Sequence, residues 1–151
     1  MLGIPAIKAV AIGAGFAAGH IPGSEFHDPI LPSGDGSGWG FVRPTNNAGG
    51  IEGGMTNGEP VVVRIVMKPI PTLTRPLPSV DVRTGEATEA HAERSDACAV
   101  PAAGVVGEAM LALVLASTAV EIFGGACMHD LLAGHAAYLE RLSSSGGAVG
   151  E

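Results

Sequence analysis

The residues best suited to chemistry in this chain lie between Thr45 and Thr72, TNNAGGIEGGMTNGEPVVVRIVMKPIPT. Gly49, Gly50, Gly53 and Gly54 crowd one short loop. Glycine lets backbone approach a ligand because it has no Cβ and accepts φ > 0. The apolar run that follows alternates Val61, Val63, Ile65 and Met67 with Val62, Arg64, Val66 and Lys68. An extended strand would therefore carry both cations on one face. Free amides beside two aligned positive charges make a seat for an anionic ligand.

Other candidates carry less. His27-Asp28 could orient a proton, although a solvated surface pair is the plainer reading. Asp28, Asp35 and Asp96, with the five histidines, show neither HExxH nor paired CxxC spacing, so no metal site is expected. The motifs GxSxG and GxxxxGK[ST] are also missing, which leaves serine-hydrolase and P-loop chemistry without support. Cys98 and Cys127 read as free thiols, expected to be buried, in a reducing compartment. A net charge of −7 argues against a nucleic-acid surface. Arg43, Arg64, Lys68, Arg75, Arg83 and Arg94 are six of the eight cations and fall in the middle of the chain. They suit either a local anion site or ordinary solvated positions.

The elements that must position these groups follow from periodicity and turn chemistry. With 151 residues, 46% hydrophobic and 15% charged, the chain suits one folded domain. Ile7 to Ile12 reads as a buried strand. It runs into Gly13-Ala14-Gly15-Phe16-Ala17-Ala18, which has the form of a G-x-G-x-x-A dinucleotide fingerprint. His20-Ile21-Pro22-Gly23 ends any helix there before two turns, so a dinucleotide-binding domain is the weakest reading. Ser24 to Val42 reads as a long loop. Ser79 to Val82 and Thr88 to Glu93 flank a hairpin turn with Gly85 at a positive-φ position.

A long helix is expected from about Ala102 to Phe123, mostly buried because it is nearly all apolar, and stopped by Gly124-Gly125. A second runs from about Met128 to Leu142, with His135 packed in its apolar stripe of Leu131, Leu132, Leu139 and Leu142. Residues 1–142 form the expected domain and 143–151 a flexible tail. The longest apolar stretch, Ala109 to Val120, falls short of the ~20 residues a membrane span needs. Lys8 interrupts any signal-like core. The chain is therefore expected to be cytoplasmic, with neither membrane nor nucleic acid as partner.

Three motifs now combine. TNNAGGIEGGMTNG, VVVRIVMKPIPT and RSDACAVPAAGVVGEAM, preceded by IPAIKAVAIGAGF, resemble the C-terminal part of chorismate synthase. That family's early strand usually reads GVEIGDGF. The resemblance covers nearly the whole chain in order, to about Ala137-Tyr138. It implies an α+β fold, an antiparallel sheet with packed helices belonging to a β-α-β sandwich, assembled as a homotetramer.

The implied activity is a lyase of the shikimate pathway. It converts 5-enolpyruvylshikimate 3-phosphate to chorismate by 1,4-anti elimination of phosphate, with reduced FMN and no net redox change. Carried across by motif, the FMN contacts are Pro5, Ala6, Gly53, Lys68, Pro69, Ile70, Pro71, Thr72 and Arg94. Asp96 of Arg-Ser-Asp is implied to help proton movement at the flavin. Lys68 and Arg94 are suited by charge to a phosphate.

The sequence also departs from the family. Ala11 and Ala14 stand where GVEIGDGF has Glu and Asp, and Ala97 is unusual after Arg-Ser-Asp. The family's GESHG motif with its catalytic histidine, its second catalytic histidine, its substrate arginines and its serine-rich FMN segment are not in this sequence. A C-terminal portion, inactive alone, is the expectation. The alternative is a non-catalytic remnant that binds flavin or oligomerises.

Overall fold

The computed structural model describes residues 1–34, 40–94 and 97–146. Its centre is an antiparallel ladder of β1 (Ile7–Ile12) with a strand much later in the chain. Between them come a 3-10 helix (Gly15–His20), α1 (Gly23–Phe26), β2 (Leu31–Pro32), β3 (Phe41–Val42), β4 (Ile51–Glu52) and β5 (Met55–Thr56). Next is β6 (Val63–Met67), the partner of β1, and then β7 (Pro78–Val80), β8 (Ala87–Glu89), α2 (Val100–Phe123) and α3 (Met128–Gly146). β1 pairs β6 from Ile7 opposite Met67 to Ile12 opposite Val63, with one irregularity between Ile7 and Ala9. The other pairs, β2 with β3, β4 with β5 and β7 with β8, are separate two-stranded ladders. This is the expected α+β mix.

The alternation in β6 sorts its side chains as anticipated. Val63, Ile65 and Met67 are half-buried, while Arg64, Val66 and Lys68 are exposed on the opposite face. The buried face meets α2 at Gly107, where a Cβ would stand 3.3 Å from Ile65 Cδ1. Ile7 and Ala103 are the buried hydrophobic residues of this contact region. The β7–β8 hairpin forms around the expected turn, though β8 ends at Glu89 and not Glu93, and Gly85 has φ 75°. The G-x-G-x-x-A stretch runs into a six-residue 3-10 helix, Gly15–His20, and the α-helix after it has only four residues, so the fingerprint lacks the long helix it requires.

Several expectations fail, for one physical reason. α2 is not buried: among its residues Ala103 and Gly107 are, whereas Val105, Leu113, Val114 and Ile122 are 60–68% exposed. It spans 24 residues, and by length and composition alone it is long enough and apolar enough to cross a membrane. The apolar stretch read from sequence was therefore too short. His135 is also exposed, though its ring meets Phe123 edge-on at 5.0 Å. Cys98 and Cys127 are free and exposed, not buried. Among the described residues, β6 and α3 pack against α2 and leave most of its apolar surface uncovered. The surface totals 11388 Å², whereas a compact protein of 15.1 kDa exposes about 7,100 Å².

Two smaller differences concern the ends of elements. α3 continues to Gly146, four residues into the expected tail. The Ser24–Val42 loop contains α1 and the short β2–β3 ladder. α2 and α3 meet closely where a Cβ on Gly134 would stand 2.4 Å from the Phe123 carbonyl oxygen.

Candidate functional site

The glycine-rich loop is clasped by the ends of both central strands. Gly13 N–H donates to the Val62 carbonyl (3.0 Å), Ala14 N–H to Asn47 (2.8 Å) and Val62 N–H to Gly49 (3.1 Å). A Cβ on Gly13 would lie 2.0 Å from the Asn47 carbonyl oxygen, and one on Gly49 would lie 2.3 Å from Gly13 N. Gly13 and Gly49 therefore serve backbone-to-backbone packing, not a ligand.

The anion seat foreseen in this loop is filled from within. Buried Asp28 accepts the Thr45 hydroxyl at 2.6 Å, Asn47 N–H at 2.7 Å and Ala48 N–H at 2.9 Å. Burial alone would raise its carboxyl pKa. The Thr45, Ala48 and Asn47 hydrogen bonds, with the Arg43 charge, outweigh burial and hold it below the ordinary carboxylate value. Arg64 donates to the Gly13 carbonyl, so it braces the turn after β1. Its cation and that of Lys68 share a face but not a task. The sequence singles out Asp28 only as half of a solvated pair with His27, whereas the structure buries it as the acceptor for this loop. Its donors lie 17–20 positions away, and no local pattern announces them.

Gly53 and Gly54 differ from the other two glycines. They form the two-residue turn between β4 and β5, with φ 57° and 80°, and no atom lies within 4 Å of a Cβ built on either. Positive φ at both positions is what a tight primed hairpin turn requires. The turn is exposed and open to a partner. The base of this hairpin, where Asn57 N–H donates to Gly50 (3.0 Å), sits at the Val62 end of β6.

The other candidates gather at the opposite end of that strand. Lys68 N–H donates to Ala6 at 2.8 Å, joining Pro5-Ala6 to Lys68-Pro69-Ile70-Pro71-Thr72. Ala6 has φ 68°, the one positive value at a non-glycine among the described residues. Prolines 69 and 71 cannot extend the ladder, so the chain leaves the sheet here. Glu93 N–H then donates to Leu73 at 3.1 Å, which brings Arg94 within two residues of Thr72's neighbour. Asp96 lies outside the described residues.

A cleft of about 380 Å³ opens beside this segment. Met67 to Ile70 and Leu73 line one side, Ala97 to Val100 the other. Ala99 and Val100 begin α2, whose N-cap Ala99 makes no side-chain capping hydrogen bond. The cleft thus combines apolar walls, the Lys68 cation and the positive end of a 24-residue helix, a setting that favours an amphipathic anion.

The family model for chorismate synthase matches residues 1–120. A chorismate synthase from Desulforudis audaxviator is 53% identical over 145 residues, covering 96% of this chain and 36% of the relative. One from Frankia casuarinae is 55% identical over 142 residues, covering 94% and 36%. A crystal structure of chorismate synthase superposes with a TM-score of 0.71 at 43% identity, over 95% of this chain and 34% of that one. The chain spans about a third of the length of the relatives it matches. With the fold and most of the length in agreement, the chain belongs to the chorismate synthase family.

Proposed function

We propose that this chain carries one wall of an FMN site in a chorismate synthase. The reaction is the 1,4-anti elimination of phosphate from 5-enolpyruvylshikimate 3-phosphate to chorismate, in cytoplasmic aromatic amino acid biosynthesis. The observation that carries this reading is the cleft between Lys68-Pro69-Ile70 and the start of α2. Its walls fit FMN: apolar faces for a flat ring, with one cation and a helix N-terminus for a phosphate. When bound, reduced FMN would supply electron density to the reaction without net redox change.

The chain's own residues hold and orient. Lys68 neutralises phosphate charge. Pro69 and Pro71 fix an extended backbone that carries no N–H at either position. Gly53 offers a turn with no side chain in the way. Arg94 adds charge beyond Leu73. Asp96 assists proton movement, as the family resemblance implies. In a family-length protein, Asp96→Asn should lower turnover and leave FMN affinity nearly intact. Collapse of FMN affinity with unchanged turnover at saturation would make Asp96 a binding residue instead.

The elimination is a property of the longer relatives, and these 151 residues alone are expected to be inactive. The exposed apolar surface of α2 favours a second reading, a non-catalytic flavin-binding or oligomerising module. On either reading α2 is a packing helix and not a membrane span, because Glu108 and Glu121 lie within it and the family match includes most of its length. The family's homotetramer is one way to cover it.

Thermal shift tests the flavin site itself, and turnover of a family-length protein carrying this segment separates the enzyme from a module that only binds or oligomerises. FMN should raise the melting temperature saturably, following RT ln(1 + [L]/Kd), and NAD should not. An equal response to NAD sinks the FMN assignment.

A further inference from the structure

A chain of charges connects the buried Asp28 to the exposed Gly53 turn. Arg43 has a side chain only 13% exposed, and its two terminal nitrogens point in different directions. Nη1 donates to the Asp28 backbone carbonyl at 3.4 Å, and Nη2 meets Glu52 Oε2 at 2.8 Å. The same Glu52 oxygen accepts Asn57 Nδ2 at 2.8 Å. Glu52 lies on β4 immediately before Gly53, and Asn57 directly follows β5. One carboxylate oxygen therefore ties both strands of the hairpin to Arg43, which is itself anchored to the Asp28 hub.

The hairpin needs such a tie. β4 and β5 are two residues each, form an isolated ladder, and end in two glycines with no neighbour at the missing Cβ positions. A two-stranded ladder of this length does not hold its own orientation in water. Exposed ion pairs contribute little to stability, but here the guanidinium is largely buried and fixed from behind.

We propose that Arg43 and Glu52, backed by Asp28, are positioning residues that set where the Gly53-Gly54 turn stands for ligand contact. This rests on the reading of Gly53 as an FMN contact, and its test has one readout that does not need FMN. Asp28 variants risk unfolding, so the informative changes are Glu52→Gln and Arg43→Met in the full chain. Glu52→Gln keeps an acceptor for Asn57 and removes the charge that holds Arg43.

Amide hydrogen exchange at Asn57, whose N–H donates to Gly50 across the base of the hairpin, should quicken about tenfold in either variant, with exchange in β1 and β6 unchanged. The double variant should add nothing further, and Arg43→Lys should recover much of the protection. FMN affinity of the variants should fall about three- to tenfold in the same pattern. Quickened exchange in a chain that binds no FMN at all would support the positioning and sink the flavin reading. Unchanged exchange, or equal loosening throughout β1 and β6, overturns the proposal. So would variants that loosen the turn yet bind FMN as tightly as the parent.

Discussion

The Asp28 carboxylate accepts the Thr45 hydroxyl at 2.6 Å across 17 positions of sequence, and the same group takes the amides of Asn47 and Ala48 in the same loop. The glycine-rich loop is therefore held by an internal anion. Removing it leaves three part-buried donors without their partner. Asp28→Ala should cost about 2–4 kcal/mol, read as a lower urea midpoint with unchanged slope.

The same group sets a pH dependence. Its folded pKa lies below the ordinary carboxylate value of about 3.9. A depressed folded pKa contributes stability above the unfolded value, and that contribution disappears as pH falls through the folded value. Below about pH 4 the parent should lose stability more steeply than Asp28→Asn, with the two curves parallel near neutrality. Parallel curves throughout would deny Asp28 this role.

Gly13 and Gly53 share positive φ but differ in surroundings. Gly13→Ala should cost about 3 kcal/mol or more, because its Cβ meets the Asn47 carbonyl and the backbone must move. Gly53→Ala should cost about 1–2 kcal/mol, the left-handed conformation alone. Chemical denaturation of the two variants measures the gap. Equal losses would contradict the packing role of Gly13.

Ala11 stands directly opposite Arg64 in the β1–β6 ladder. It occupies the position where the related family strand carries Glu, and Arg64 here turns to the Gly13 carbonyl instead. Ala11→Glu should supply a cross-strand partner and stabilise by about 0.2–1 kcal/mol. The thermal midpoint should rise by up to about 4 °C, and less at high salt. No change at low salt would mean the Gly13 contact already satisfies Arg64.

Local patterns made much of this fold legible. β1, the alternation of β6, the β7–β8 hairpin with Gly85 and both long helices follow from turn chemistry and periodicity. The burial of α2 did not follow. Hydrophobicity says that a helix needs covering, but which segment covers it is a question of tertiary context. Asp28 was illegible for a related reason, since a buried acid is defined by donors far along the chain. Of the site, Lys68 to Thr72 came from the family resemblance, and the Lys68 N–H bond to Ala6 was not foreseen, because strand-end pairing across 62 positions leaves no local pattern. The Thr45–Gly54 loop was misread as one ligand seat, because sequence does not say which glycines face backbone and which face solvent.

The exposed helix makes its own prediction. α2 presents Leu113 and Val114 at 65% and 60% exposure, so the isolated chain should self-associate and bind an apolar dye. Leu113→Lys should reduce association in sedimentation without lowering the melting temperature. Undiminished association would move the contact to another face.

Lys68 is the cation on which the proposed flavin-binding cleft rests. Equilibrium titration of the chain and of Lys68→Ala with FMN, followed by flavin fluorescence, tests it. Saturable binding that weakens about five- to 150-fold in the variant, a loss of about 1–3 kcal/mol, is the predicted result. FMN affinity unchanged by Lys68→Ala would contradict it and remove the cleft from the site.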